Sequence, residues 1–436
     1  MDSFMSQRKN VTHSLKVSVT SILSRTRSCP NRTILSNAAD DMCTKLFFND
    51  YKIKMKRILA LLDSVNLYGK ELSNIEVCKT LKSNDFDVVM LCNCGASKEL
   101  YLELSLFKKY RIHFARNLEK NRFYKVFLYF YYIIKSNIEI NNVIVKERPN
   151  YFLIPTEIEI FFLYPILIKH KNLPVIFRMG DAPISYRKKG LGGAIYGLLW
   201  KHFLLPRVTC IVSISNFIKE KLKESGRKDS NKDVVIYNYP PQRTLNLSNP
   251  ITVDEGCVKI GYAGRIVPEK GVKELVESFI NLWNNGYKIK LFIAGNIGDD
   301  TCYYENILRL IKKEGTFENI VFLGKLSNTD SFYHIMDIIV SPSIYEEPLG
   351  NVLVEAKIHH KPSIIFNRGG MPEIVEHKNT GYICPDVSVE SLAEGIKFYL
   401  DNPDLIKVHG ENAYKSIEEL GLTKESYTEK WLKVFS

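Results

Sequence analysis

The most constraining feature of the sequence is a repeated alternation of short apolar runs with polar loops and helical stretches. Residues 57–63 form an apolar run typical of a buried strand, and a loop to Gly69, a helix over 70–83 and a second strand at 86–92 follow. A strand–loop–helix–strand start of these lengths favours right-handed βαβ units, and therefore a parallel sheet. The fold class predicted from this pattern is α/β.

The alternation occurs twice along the chain. Further strands are predicted at 151–155, 175–177, 210–214 and 234–237, and then at 258–262, 290–294, 320–323, 336–340, 363–366 and 382–384. Between the two sets, a polar run from Asn238 to Pro250 reads as a linker. With 436 residues, the chain suits two or three domains. We predict two Rossmann-like, doubly wound parallel-sheet domains that face a cleft, over residues 55–245 and 246–410.

The two ends of the chain carry separate predictions. Residues 1–54 are rich in Ser, Thr, Asn and Arg and are expected to form a disordered extension. Residues 411–436 are expected to form a helix ending near Trp431 that crosses back to the first domain.

Composition limits the partners and the compartment. The formal net charge of +12 favours an anionic partner, but it does not separate nucleotide, nucleic acid and anionic lipid. The nine cysteines are scattered without zinc-site spacing, as expected of reduced thiols in a cytosolic protein. No uncharged apolar run reaches about 18 residues, so no spanning helix is predicted. We expect a cytoplasmic protein that could lie peripherally at the inner face of a membrane.

Two stretches in the first half combine bases with apolar side chains. Residues 107–135 mix Lys and Arg with many Phe and Tyr, and Arg187-Lys-Lys189 precedes a Gly-rich apolar stretch, 190–199. One interpretation is an interfacial helix or helix pair, extended by the second stretch, on an anionic membrane surface. The other is buried aromatics on a helix whose basic face is solvated. The sequence leaves both open.

The stretch 341–356 carries the strongest chemical signal. It follows a predicted strand and turns helical after Pro348, so the backbone N–H groups of Leu349, Gly350 and Asn351 would lie at a helix start, where an anion can bind. Glu347 precedes this helix, and Glu355 lies two turns inside it. One carboxylate could face a sugar and the other a ribose, although two surface glutamates beside an ordinary loop are the simpler alternative.

Similar loops follow the other strands of the second half. Residues 263–271 carry Arg265 and Lys270, which suit a diphosphate because Arg binds phosphate oxygens bidentately and Lys acts as a point charge. Loops at 294–296, 324–326 and 367–373 contain the glycines that close backbone approach needs. Together these loops predict a site for a nucleoside diphosphate. In the first half, Gly69 could approach the ligand, and Asp181 is a candidate for the acceptor side.

As an ordered set, these motifs resemble the donor-binding domain of family 4 retaining glycosyltransferases of the GT-B fold. The resemblance covers residues 258–400 and is carried by Gly264-Arg-Ile-Val-Pro-Glu-Lys-Gly271, Ile293-Ala-Gly295, Val321-Phe-Leu-Gly324, Pro342-Ser343, Glu347-Pro-Leu-Gly-Asn-Val-Leu-Val-Glu355-Ala and Gly369-Gly-Met-Pro-Glu373. It extends more weakly over residues 55–250. One departure is Arg178-Met-Gly-Asp181, where many members carry a His.

The resemblance implies specific roles. Arg265 and Lys270 would neutralise the donor diphosphate, Glu347 would contact the transferred sugar, and Glu355 would bind the ribose hydroxyls. Gly69 would approach the phosphate from across the cleft, and the amides of Leu349 and Gly350 would assist. The full set of predicted site residues comprises Glu347, Arg265, Lys270 and Asp181 as catalytic groups, and Gly69, Gly264, Gly295, Leu349, Gly350, Asn351, Glu355 and Gly370 as donor-binding groups.

The implied activity is a metal-independent, retaining transfer of a hexose or N-acetylhexosamine. The donor would be a UDP- or GDP-linked sugar, the acceptor a hydroxyl of a glycan or lipid-linked precursor of a surface polysaccharide, and no cofactor or nucleic acid would take part. The alternatives are a sugar-nucleotide epimerase or phosphorylase of the same fold, and a basic module that binds membrane or nucleic acid.

Overall fold

The structure is a computed structural model that describes residues 55–114, 122–155, 157–187, 190–228, 230–240, 256–298, 301–326 and 328–436. Residues Lys56–Ser436 form one compact unit. The predicted disordered extension, residues 1–54, lies outside the described ranges, as does most of the predicted linker.

The first sheet has seven parallel strands in the order β3-β2-β1-β4-β5-β6-β7. The strands are β1 Arg57–Leu62, β2 Asp87–Asn93, β3 Lys108–Ile112, β4 Tyr151–Ile154, β5 Val175–Met179, β6 Cys210–Ser213 and β7 Val234–Val235. The order reverses between β1 and β4, which is the switch point at which such sheets bind ligands.

The second sheet has six parallel strands in the order β10-β9-β8-β11-β12-β13. These are β8 Val258–Ala263, β9 Ile289–Ala294, β10 Ile320–Gly324, β11 Ile338–Ser341, β12 Ser363–Phe366 and β13 Gly381–Cys384. Its order reverses between β8 and β11. The predicted fold class, two doubly wound parallel sheets, is therefore confirmed.

Helices connect the strands. In the first half they are α1 Gly69–Lys82, α2 Lys98–Glu103, α3 Arg122–Glu147, α4 Glu157–Phe162, α5 Tyr164–Lys169, α6 Ile184–Arg187, α7 Leu191–Leu199 and α8 Asn216–Glu224. In the second half they are α9 Val272–Asn284, α10 Thr301–Lys313, α11 Asp330–Ile335, α12 Asn351–Ile358, α13 Val389–Asp401, α14 Asp404–Glu419 and α15 Lys424–Val434.

Two sequence predictions about helices were wrong. Lys108–Ile112 is the edge strand β3 and not part of an interfacial helix, because an edge strand tolerates lysines on its exposed side. Residues 411–436 do not form one helix. The chain breaks between α14 and α15 at Gly421, whose φ of 62° is the left-handed conformation that ends helices.

The first sheet is buried on both faces. Alternate residues of β1 enter different cores: Ile58 and Leu62 pack with α1 and α2, whereas Leu59 and Leu61 pack with α3, α4 and α5. Helix α15 completes the first of these cores, where its Trp431 is 1% exposed. The chain therefore returns to the first sheet after it has built the second.

Helix α12, which follows Gly350, contacts α14 through a buried lysine. The Lys357 side chain is 2% exposed and donates a hydrogen bond to the Ser416 hydroxyl of α14 at 2.6 Å. Burial lowers the pKa of Lys357 from 10.5 to about 8.

Because the folded-state pKa of Lys357 lies below the unfolded value, the unfolded chain binds the proton more tightly. Stability should therefore rise as pH increases from about 8 to about 10.5. Lys357→Met should raise the free energy of unfolding by about 2 kcal/mol at pH 7, and this gain should shrink towards pH 10.5. Denaturant titration across pH would test it, with the exposed Lys407→Met as the control. A gain that does not vary with pH would contradict the assignment.

Candidate active site between the two sheets

A cavity of about 890 Å³ lies where loops from the two sheets meet. Most of the predicted site residues line it: Gly69, Asp181, Gly264, Arg265, Lys270, Glu347, Leu349, Gly350 and Asn351. Gly295, Glu355 and Gly370 are not among its lining residues. The structure therefore brings together groups that the sequence separates by up to 282 residues, from Gly69 to Asn351.

Gly295 shapes the cavity without lining it. A Cβ atom at this position would lie 1.7 Å from the carbonyl oxygen of Gly264, so the end of β9 packs directly under the cation-bearing loop. The Tyr262 hydroxyl holds the same loop from the other side, donating a hydrogen bond to the Arg265 carbonyl oxygen at 2.7 Å. The backbone of this loop is thus fixed, while the side chain of Arg265 is 55% exposed.

Lys270 and Glu347 form a direct ion pair in the cavity wall. The Ser343 hydroxyl also donates a hydrogen bond to Glu347 at 3.2 Å, and the Lys270 ammonium lies 5.0 Å from the centre of the Tyr345 ring. Burial, and then the Glu347 carboxylate, raise the pKa of Tyr345. The two predicted catalytic groups therefore lie in one wall of the cavity, where they are paired with each other.

Two helices begin at the cavity. α12 starts at Asn351 after Gly350, whose φ of 87° turns the chain into the helix. α1 starts at Gly69 and carries Lys70 in its first turn. A cation at this end opposes the helix dipole, and the Asp181 carboxylate offsets it through an ion pair of 2.7 Å. Sequence analysis had missed Lys70, although a base beside Gly69 on the predicted loop was the available signal.

Glu355 lies beside the main cavity. It lines an adjoining cavity of about 190 Å³ together with Gly69 and Asn351. The Thr329 hydroxyl donates a hydrogen bond to its carboxylate at 3.4 Å. Glu347 therefore borders the main cavity before α12 begins, and Glu355, within α12, borders the adjoining cavity.

Gly370 packs against the backbone of Pro348, in the loop that precedes α12. A Cβ atom there would lie 2.3 Å from the Pro348 carbonyl oxygen. The same carbonyl oxygen accepts a hydrogen bond of 2.6 Å from the hydroxyl of Ser215, which belongs to the first sheet. Gly370 therefore sets the loop backbone and does not line the cavity.

Glu373 connects the two sheets at the same place. Its carboxylate accepts hydrogen bonds from the backbone N–H groups of Asn216 and Phe217, at 2.8 and 2.6 Å, and from the Tyr237 hydroxyl at 2.9 Å. A side chain of the second sheet thereby caps helix α8 of the first. Sequence analysis had treated Glu373 only as the end of a glycine loop, because its partner helix lies more than 150 residues earlier.

Within the described residues, no group of three or more His, Cys, Asp or Glu side chains is placed to hold a metal ion. None of the helices in the described ranges combines the length and the apolar character that a membrane span requires.

The second half of the chain matches a family model. Residues 246–416 match the model described as glycosyl transferases group 1. This region of the chain is similar to that family of glycosyltransferases. The match covers β8 to β13, the sheet that carries Arg265, Lys270, Glu347 and Glu373.

Curated relatives agree with this assignment. The chain is 29% identical over 292 residues to the capsular polysaccharide biosynthesis glycosyltransferase CapM of Staphylococcus aureus, a match that covers 58% of this chain and 74% of that protein. It is 32% identical over 168 residues to the lipopolysaccharide 1,2-N-acetylglucosaminetransferase of Salmonella typhimurium, covering 37% of this chain and 43% of that protein. The chain thus spans less than half the length of the Salmonella relative.

Solved structures share the fold. Anabaena HepE in complex with UDP and glucose superposes with a TM-score of 0.69 at 16% identity, covering 87% of this chain and 99% of that one. A glycosyltransferase from Rickettsia africae superposes with a TM-score of 0.69 at 21% identity, covering 87% of this chain and 97% of that one. These similarities establish the GT-B fold.

The cap that Glu373 provides generates a prediction. Glu373→Ala removes charged hydrogen bonds from a helix start and should lower the free energy of unfolding by about 1–3 kcal/mol. It should also accelerate hydrogen exchange of the Asn216 and Phe217 amides. The exposed Glu394→Ala in α13 is the control. If Glu373→Ala cost no more stability than the control, the carboxylate would not hold the two sheets together.

Proposed function

We propose that the protein is a family 4 retaining glycosyltransferase that moves a hexose or N-acetylhexosamine from a UDP- or GDP-linked sugar to a glycan or lipid-linked acceptor. The observation that carries this proposal is the convergence of Arg265, Lys270 and two helix starts on one cavity between two sheets. Cations and helix N-termini together suit a diphosphate. A carboxylate, Glu347, lies within the same wall to bind sugar hydroxyls.

The chemistry follows from where charge develops. As the bond between the sugar and the diphosphate breaks, negative charge grows on the phosphate oxygens. Arg265, Lys270 and the helix-start N–H groups would stabilise that charge most strongly in the transition state. If the acceptor hydroxyl enters on the face that the leaving group departs from, a phosphate oxygen can take its proton, and the anomeric configuration is retained.

The ion pairs in the cavity would change partners when the donor binds. Lys270 would turn from Glu347 to a phosphate oxygen, which would release the Glu347 carboxylate for a sugar hydroxyl. Glu355, in the adjoining cavity, would accept hydrogen bonds from the ribose. Asp181, paired with Lys70, would face the acceptor or the sugar from the first sheet.

The names of the relatives support a surface polysaccharide as the product. CapM is a capsular polysaccharide glycosyltransferase, and the Salmonella relative acts on lipopolysaccharide. The complex of HepE with UDP and glucose supports a uridine nucleotide as the donor. On this basis we infer a role in surface polysaccharide biosynthesis, at the cytoplasmic face of a membrane.

A sugar-nucleotide panel tests the enzymatic proposal. One UDP- or GDP-sugar should raise the melting temperature and release nucleoside diphosphate when a crude glycan or lipid acceptor is added. Arg265→Ala and Lys270→Ala should each lower kcat by about 10²- to 10³-fold, because each removes a charge that stabilises the leaving group. Lys273→Ala, at a half-exposed lysine in α9, is the matched control.

Two outcomes would contradict the proposal. Conversion of a sugar nucleotide without any acceptor would indicate an epimerase. If Arg265→Ala and Lys270→Ala both left sugar transfer unchanged, Arg265 and Lys270 would not belong to the active site.

An exposed apolar surface on the first sheet supports attachment to a membrane. Helices α3, α4 and α7 lie side by side: the Phe161 ring is 6.1 Å from the Tyr196 ring, and the Asn137 amide donates a hydrogen bond to the Phe162 carbonyl oxygen at 2.9 Å. The apolar surface, as we define it, consists of the exposed side chains of Phe130, Ile134, Ile138, Phe161, Ile168, Leu191, Ile195, Leu198 and Phe203.

The charge of the surrounding chain suits anionic lipid. Residues 182–219 contain no Asp or Glu, and their bases are Arg187, Lys188, Lys189, Lys201, Arg207 and Lys219. This segment also begins beside the cavity, because it follows Asp181 directly. A lipid-linked acceptor held at the apolar surface would therefore lie next to the site.

Vesicle binding tests this surface. The protein should sediment with phosphatidylcholine vesicles that contain phosphatidylserine, and less so at high salt. The double substitution Ile195→Glu and Leu198→Glu should weaken binding by about tenfold or more, because it places two charges in the apolar layer. Phe317→Glu, at an exposed aromatic near β10, is the control. Equal binding by all three proteins would contradict the proposed surface.

A further inference from the structure

A buried arginine is among the residues that line the cavity. Arg178, in β5, is 3% exposed, and its guanidinium donates hydrogen bonds to the Asn74 and Asn238 side-chain oxygens, the latter at 2.6 Å. Burial lowers its pKa. Within the described chain, its hydrogen bonds go to amides and not to carboxylates. A buried cation is normally paired with an acid, so neutral partners at this position call for an explanation.

The neutral partners belong to a directed chain of hydrogen bonds. A guanidinium can only donate, so the Asn238 oxygen must face Arg178, and its NH₂ group is left to donate. That group donates to the Asn351 side-chain oxygen at 2.7 Å. The Asn351 NH₂ group in turn donates to the Ser73 hydroxyl at 3.3 Å, and Ser73 donates to the Gly69 carbonyl oxygen at 2.9 Å.

The chain of hydrogen bonds crosses between the two sheets twice. It leaves the first sheet at Asn238, passes through Asn351 in the first turn of α12, and returns to the first turn of α1. Both helix starts line the cavity. These hydrogen bonds therefore define the position of one helix start relative to the other. Arg178 sets which way the amides face, because a guanidinium can only donate.

We propose that Arg178 is a positioning residue that, through Asn238 and Asn351, fixes the start of α12 against the start of α1 for donor binding. This proposal rests on the proposed function for its ligand, a nucleoside diphosphate, but the hydrogen-bond chain itself does not. Arg178 acts by determining which way two amides face, and hence where the N–H groups beside Gly350 lie relative to Gly69.

The choice of amides has a physical reason. A side-chain amide can accept from Arg178 with its oxygen and donate to Asn351 with its nitrogen. A carboxylate at position 238 would satisfy the guanidinium but could not donate. It would also add a negative charge at a residue that lines the cavity, where it would repel a diphosphate.

The decisive variant is Asn238→Asp. It keeps an acceptor for Arg178, so the melting temperature should not fall. The lost donor should accelerate hydrogen exchange of the backbone amides at 353–357 about fivefold, in keeping with one modest hydrogen bond. The donor KM should rise about tenfold, because the new charge adds to the lost contact, with a smaller change in kcat. Asn142→Asp, on an exposed position of α3, is the matched control. Wild-type exchange at 353–357 would overturn the proposal.

A double-mutant cycle tests the origin of the effect. Arg178 and Asn351 share the partner Asn238. Arg178→Lys and Asn351→Ala should each accelerate exchange at 353–357, and together they should do so no more than the stronger one alone. If the two accelerations of hydrogen exchange multiplied in the double variant, Arg178 and Asn351 would act independently, and the proposal would be overturned. Because exchange is measured without ligand, a protein that binds no sugar nucleotide would refute the proposed function while leaving this result interpretable.

Discussion

The candidate site depends on the hydrogen bonds that join the loops of one sheet to the helix starts of the other. Glu373 caps α8, and Ser215 binds the Pro348 carbonyl oxygen. Each sheet alone supplies only part of the chemistry. Arg265, Lys270 and Glu347 come from the second sheet, and Lys70 and Asp181 come from the first. Without contacts that hold the two sheets in register, these charges would not face a common volume.

The charges in the cavity are arranged in exchangeable pairs. Lys270 pairs with Glu347, and Lys70 pairs with Asp181. Such pairing keeps the polar groups satisfied, and it allows a charged ligand to bind by replacing one partner at a time. The buried Arg178 differs, because its amide partners are covered and hold their positions. The charged pairs are therefore partly exposed in the cavity, whereas the contacts of Arg178 are buried.

The two doubly wound parallel sheets were accessible from the sequence, and most of the residues predicted for the donor site line one cavity. Apolar runs and glycine loops mark the carboxyl ends of parallel strands, and those ends meet at one edge whatever the side-chain detail. Side-chain partners across the cleft were not accessible. Glu373 with Asn216, or Asn238 with Asn351, depends on how the two sheets dock, and no local pattern in the sequence records these pairs. The edge strand β3 was missed because its lysines and aromatics fit a basic helix equally well.

The return of α15 to the first sheet also has a consequence for synthesis of the chain. Tyr427, Trp431 and Phe435 belong to the same apolar core as Ile58 and Met90, which a ribosome would make more than 300 residues earlier. That face of the first sheet cannot close until the second sheet has been made. During synthesis, part of the apolar core of the first sheet therefore stays exposed until α15 has been made. A chaperone that covers this surface would be useful during that interval. The two sheets mature together, although the first is synthesised well before the second.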